Sequence, residues 1–133
     1  NNLYHHHFED KKLDIAEKVK KINDLISSHE EVLANPILDL LYKKGNINLI
    51  GKNKIINKNR APTISFTVNQ KSSREISDLL VKNKIATRND NFYAWRCLKA
   101  LNIDTEDGVI RISMTHYNSK NDTDRLLEVL KKI

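Results

Sequence analysis

The sequence predicts an α+β domain: a small mixed or antiparallel sheet covered by helices and preceded by a long N-terminal helix. Three observations predict it. Residues 63–68 alternate cleanly, with Ile64, Phe66 and Val68 on one side and Thr63, Ser65 and Thr67 on the other, the period-2 signature of a strand with one buried face. The stretch from Asp107 to Asn118 is rich in β-branched and apolar residues and bracketed by turn formers, so it reads as a second strand. Segments with apolar residues at three- and four-residue steps are interleaved with these strands, giving the order α-β-β-α-β-α-β-α. Helices distributed along a short sheet of this kind form two layers around one core.

Taken in order, Leu13 to about Lys44 is helical, with Ile15, Val19, Ile22, Ile26, His29 and Leu33 on one stripe. Pro36 lacks the N–H that a helix interior needs. It predicts a kink, or a second helix capped by Asn35 with Pro36 at its first position. Ile37, Leu40 and Leu41 continue the stripe, and Gly45 marks the stop. Ile47 to Ile50 is a short strand, and Gly51 to Arg60 a loop rich in Lys and Asn. Ser72 with Glu75 forms a capping box opening a helix that carries Ile76, Leu79 and Leu80. Lys84 to Arg88 is predicted as a strand and Asn89-Asp90-Asn91 as a turn and helix cap. Phe92, Trp95, Leu98 and Leu101 then form an amphipathic helix packed on the core. In the last strand Ile110, Ile112, Met114 and His116 share the core face. Val109, Arg111, Ser113, Thr115 and Tyr117 share the other. Ser119 with Asp122 caps the final helix, whose stripe is Leu126, Leu130 and Ile133. The predicted division is 1–45, a lead-in helix, and 46–133, the α+β domain.

At 133 residues the chain has the length of one domain, and a hydrophobic fraction of 39% supplies a core. No apolar run is long enough to span a membrane, and Asn1 to Asp10 lacks the layout of a secretory signal. The single cysteine, Cys97, excludes an internal disulfide and suits a reducing compartment, so the expected location is cytoplasmic. The only methionine is Met114, which suggests a fragment or processed product. The net charge of +6 is spread along the chain, so no nucleic-acid partner is expected. His5, His6 and His7 are adjacent and cannot all face one metal from regular structure. They read as a surface segment or the remnant of an affinity tag, and no metal is expected. Glycine-rich phosphate loops, nucleophile elbows and zinc spacings are absent from the sequence. What stands out is Arg111, a permanent cation mid-strand on the face away from the core, beside hydroxyls. Its fork of donors suits a carboxylate or phosphate; a solvated or salt-bridged sheet face is the alternative.

Four stretches also carry a family resemblance. Arg60-Ala61-Pro62-Thr63-Ile64-Ser65-Phe66, Lys84-Ile85-Ala86-Thr87-Arg88, Phe92-Tyr93-Ala94, and Val109 to Ser119 running into Asp124-Arg125-Leu126-Leu127 occur in the order seen at the C-terminal end of class V aminotransferases, nearest their cysteine desulfurase-like members. The resemblance covers nearly the whole chain. It implies the small C-terminal domain of a fold type I, pyridoxal-phosphate-dependent enzyme acting on an amino acid. The large domain, which in such enzymes supplies the Schiff-base lysine and most of the cofactor site, lies outside this sequence. The residues 1–45 correspond to the segment leading in from that large domain. By position Arg111 resembles the arginine that binds the substrate α-carboxylate, and Arg88 a second arginine at the mouth of the site. Tyr117 and Asn118 resemble the structural turn after the strand. The nucleophilic cysteine of desulfurases aligns with Tyr93, which is expected to line the substrate pocket. Cys97 falls one helical turn later, as a small inert side chain packed on the core. The expected consequences are no catalytic residue in this chain, a homodimeric parent, and a parent that is not an efficient cysteine desulfurase. A stand-alone basic binding module is the competing reading.

Overall fold

The computed structural model describes residues 2–9 and 12–133; Asn1, Asp10 and Lys11, which fall within the predicted lead-in segment, lie outside the described residues. The chain runs α1 (Asn2–His7), α2 (Ile15–Lys43), β1 (Ile47–Ile50), β2 (Thr63–Val68), α3 (Ser73–Lys82), β3 (Arg88–Asp90), α4 (Trp95–Ala100), β4 (Val109–Ser113) and α5 (Lys120–Leu130). The four strands form one antiparallel sheet in the order β1-β2-β4-β3. This is the predicted α+β architecture.

The register explains the two layers. Ile64 stands opposite Ile112, and Phe66 opposite both Leu49 and Ile110. Because cross-strand partners point the same way, these side chains form one continuous apolar face. Against it pack Leu33, Ala34, Ile37, Leu38 and Leu41 of α2, Ile76 and Leu80 of α3, and Leu126 and Leu130 of α5. Each buried leucine or isoleucine among them contributes roughly 1.5–3 kcal/mol relative to exposure. The opposite face of the sheet is open around Thr63, Ser113 and Arg88, which are exposed, and Ser65, Thr67 and Arg111, which are half-buried, while Val109 at its Asp90 end is buried.

Capping boxes at Ser72–Glu75 and Ser119–Asp122 open α3 and α5 as the sequence predicts. Several local expectations change. Pro36 does not divide the helix: α2 runs without interruption from Ile15 to Lys43. Asn35 is therefore not a cap. Its side chain instead accepts a hydrogen bond from Ile55 N–H (2.8 Å) and donates one to the Ile55 carbonyl (3.1 Å), pinning the 51–60 loop to α2. Tertiary packing of Leu33 to Leu41 outweighs the one hydrogen bond that proline removes. The first half of the predicted stripe is not buried, as Ile15 and Val19 are exposed. β3 covers Arg88–Asp90, not Lys84–Arg88, so Asn89 and Asp90 belong to the ladder and not to a turn. β4 stops at Ser113, where the Asn118 side chain accepts from Thr115 N–H (2.9 Å) and closes a turn. His116 consequently lies exposed, not on the core face. The Asn118 carbonyl also meets His29 Nε2 at 2.8 Å, so Asn118 is structural and ties α2 to the end of β4. The histidine triplet sits on α1, which Tyr4, 2% exposed, anchors to the rest of the chain. Among the described residues no group of three or more His, Cys, Asp or Glu is placed to hold a metal ion.

Candidate functional site

The open sheet face carries the candidate site. Arg111 is the middle residue of β4, flanked by Ser65 of β2 on one side and Arg88 of β3 on the other. Direct opposition sets the two arginines on one face, side by side. Like charges placed opposite each other destabilise a sheet, and an anion between them would offset that repulsion. Among the described residues neither guanidinium forms an ion pair; the ion pairs are Lys43–Asp39, Lys58–Asp24 and Lys120–Asp124, all elsewhere. Arg60, another arginine within the sequence motifs, is committed. Its Nη1 donates to the Lys52 carbonyl and its Nη2 to the Thr63 carbonyl, and burial pushes its pKa down.

Arg111 has one close neighbour of consequence. Its Cζ lies 4.0 Å from the centroid of the Phe92 ring, a cation–π contact. Phe92 belongs to the tight turn Asn91–Ala94, closed by Ala94 N–H donating to the Asn91 carbonyl (2.9 Å). Both central residues are left-handed, with φ of +52° at Phe92 and +60° at Tyr93. Two consecutive non-glycine residues in that region are uncommon. Asn91 holds them: its Oδ1 accepts from Tyr93 N–H (3.0 Å) and its Nδ2 donates to the Thr105 carbonyl (3.2 Å). Gly108 lets β4 lie against the same turn, since a Cβ there would fall 2.3 Å from the Asp90 carbonyl carbon and oxygen. A further network anchors the neighbouring strands. Asp107 accepts from Ser73 N–H (2.9 and 3.0 Å), the Ser73 hydroxyl donates to the Asp107 carbonyl (2.6 Å), and Asn89 Nδ2 donates to that hydroxyl (3.1 Å). The strand ends on either side of that turn are thus tied to the start of α3.

The three residues singled out from sequence share this region in different ways. Arg111 and Arg88 are brought together. Tyr93 lies on the same turn as Phe92 and is 96% exposed. Phe92, predicted in an amphipathic helix on the core, lies outside α4 and outside the core cluster, because α4 begins only at Trp95. Its one signal in the sequence is the aromatic preceding Tyr93, masked by helical spacing to Trp95. Cys97 is exposed, not packed on the core; only Leu98 of the short α4 is buried. Tyr93 precedes that helix, so helical spacing does not put Cys97 and Tyr93 on one side. A cleft of about 210 Å³ opens between Lys84–Thr87 and the end of β4, but neither Arg111 nor Arg88 lines it. The arginine pair occupies an open surface, half of a site.

An aminotransferase-like protein of Gibberella zeae is 28% identical over 119 residues, covering 89% of this chain and 30% of that protein. A probable cysteine desulfurase of Aeropyrum pernix is 32% identical over 119 residues, covering 88% of this chain and 26% of that protein. The chain thus spans less than a third of the length of these curated relatives. The solved apo cysteine desulfurase of Thermococcus onnurineus superposes with a TM-score of 0.70 at 22% identity, over 86% of this chain and 28% of that one, a likeness of fold. The profile of the family described as aminotransferase class-V matches residues 14–126, and the chain belongs to that family.

Proposed function

We propose that this chain is the small, substrate-closing domain of a pyridoxal-phosphate-dependent enzyme acting on an amino acid, and that Arg111 receives the substrate α-carboxylate. The observation that carries this reading is Arg111 itself. It is half-buried mid-strand, packed on Phe92 and without an acidic partner among the described residues. The contact with the ring engages no carboxylate, so the donor fork of the guanidinium stays available for one. Arg88 adds positive potential at the mouth, and Tyr93 faces the incoming substrate.

The family is one of pyridoxal-phosphate enzymes, but the described residues of this chain do not make a site for that cofactor. None of the described lysines is buried, so none is desolvated as a Schiff-base lysine would be. The glycines, Gly45, Gly51 and Gly108, are scattered and form no phosphate loop. In this reading the cofactor is held by a large domain encoded upstream, residues 1–45 lead in from it, and the whole enzyme is a homodimer. The reading also excludes efficient sulfur transfer from cysteine. A phenol at Tyr93 cannot carry sulfane sulfur, and Cys97 sits on a different element. No described helix is long and apolar enough to cross a membrane.

The gene's upstream reading frame tests the first part: a lysine-bearing domain is expected, and a frame opening a few codons before Asn1 would overturn it. In the whole enzyme, Arg111→Ala should raise KM for the amino acid roughly ten- to a hundredfold, the worth of a charge-assisted pair. Arg111→Lys should not restore it, because the fork is lost. An unchanged KM in Arg111→Ala would remove the carboxylate assignment.

A further inference from the structure

We infer that Phe92 is a positioning residue: its ring, projected by a left-handed turn, fixes the plane of the Arg111 guanidinium so that the donor fork faces outward from the sheet. The inference rests on the reading of Arg111 as the carboxylate-binding group and adds how that group is aimed. An arginine on an open sheet face has many rotamers, and ordering them opposes binding. A ring 4.0 Å from Cζ restricts the side chain before any ligand arrives. It also shields one face of the cation from water while leaving the edge donors free. An acidic partner would order Arg111 equally well, but it would occupy the fork.

The turn is built for this placement. Packing alone does not require a phenylalanine at φ +52°, where glycine or asparagine is at ease. Phe92 is not part of the core cluster, so its strained backbone is not compensated by core burial. Compensation comes from Asn91, whose side chain bonds both Tyr93 N–H and the Thr105 carbonyl, and from Asp90, whose Oδ1 accepts from Asn91 N–H (2.7 Å). An unusual backbone held by several independent bonds, delivering one ring onto one guanidinium, marks a place where geometry serves a site.

The test uses the ¹⁵N-labelled whole enzyme with L-alanine as the carboxylate probe, following the Arg111 Nε–Hε resonance. In the wild type, ring stacking should displace that resonance upfield before ligand is added. Phe92→Gly removes the ring and relieves the left-handed strain. It should keep the fold, lose the displacement and weaken alanine binding roughly two- to fivefold. Phe92→Trp should restore both displacement and affinity. In an Arg111→Ala background, Phe92→Gly should have no further effect on binding. If Phe92→Gly and Phe92→Leu both bind alanine like the wild type while Arg111→Ala does not, the positioning role is wrong and the carboxylate reading stands. If Arg111→Ala itself binds like the wild type, the carboxylate reading fails and this inference with it.

Discussion

Gly108→Ala should be the most damaging single-methyl change in the β3–β4 region, and its size follows from the structure. Gly108 has φ of +71°, and a left-handed alanine costs roughly 1–2 kcal/mol relative to a right-handed one. The added Cβ would meet the Asp90 carbonyl carbon and oxygen at 2.3 Å and Asn91 N at 2.6 Å. These are backbone atoms, so no flexible side chain can swing aside. Overpacking of this kind costs a further ~1–3 kcal/mol. The total, about 2–5 kcal/mol, is a large fraction of the ~5–15 kcal/mol that stabilises an ordinary domain. The strain falls on the turn that carries Phe92, so the Arg111 contact should loosen with it. Urea unfolding of the chain measures the first effect, and the Arg111 Nε–Hε resonance the second. Gly45→Ala is the control, because a methyl added at Gly45 would meet no atom within 4 Å and the backbone there is not left-handed. It should change stability by less than about 1 kcal/mol. If Gly108→Ala unfolded within about 1 kcal/mol of Gly45→Ala, the close approach of β4 to the Asp90–Asn91 backbone would be wrong.

Asn35→Ala should destabilise the chain by roughly 2–4 kcal/mol, because it strands both the N–H and the carbonyl of the buried Ile55; a urea midpoint equal to wild type would mean the 51–60 loop is not pinned there. Acid should weaken the fold through its capping carboxylates. The pKa of Glu75 is lowered first by the Ser72 N–H and then by its hydroxyl, and that of Asp122 in the same way by Ser119. Carboxylates with depressed folded values contribute stability above their unfolded pKa and lose it as pH falls through the folded one. The unfolding temperature should therefore drop as pH falls below the ordinary carboxylate range, and Glu75→Gln with Asp122→Asn should flatten that slope; an unaltered slope would assign acid sensitivity to other groups.

Period and capping chemistry made much of this protein readable from its residues. The alternation at Thr63–Val68 determined a strand with one buried face, and Ile64, Phe66 and Val68 are buried. Ser72–Glu75 and Ser119–Asp122 determined where α3 and α5 begin, since a capping box is satisfied within four residues. Arg111 on the face opposite Ile110 and Ile112 followed from the same two-residue period, and four motifs in order pointed to the family that residues 14–126 match. The period and capping signals are local and need no knowledge of the rest of the chain, and the family signal is the order of four short motifs.

Other features depend on what a segment meets. Pro36 reads as a kink or the start of a second helix, yet one helix runs on across it over the sheet beneath Leu33 to Leu41. His116 continues the strand's alternation, yet the Asn118 turn ends the ladder first. Phe92 keeps helical spacing with Trp95, yet it packs on a guanidinium and not on the core where that spacing would send it. Helical spacing is a statement about one turn of chain, whereas left-handed φ at Phe92 is held by Asn91, Thr105 and the space left by Gly108. The pairing of Arg88 with Arg111 is likewise a matter of strand register, since the two are distant in the chain and directly opposed in the sheet. Register is set by which apolar faces must share a core, and only the folded chain decides that.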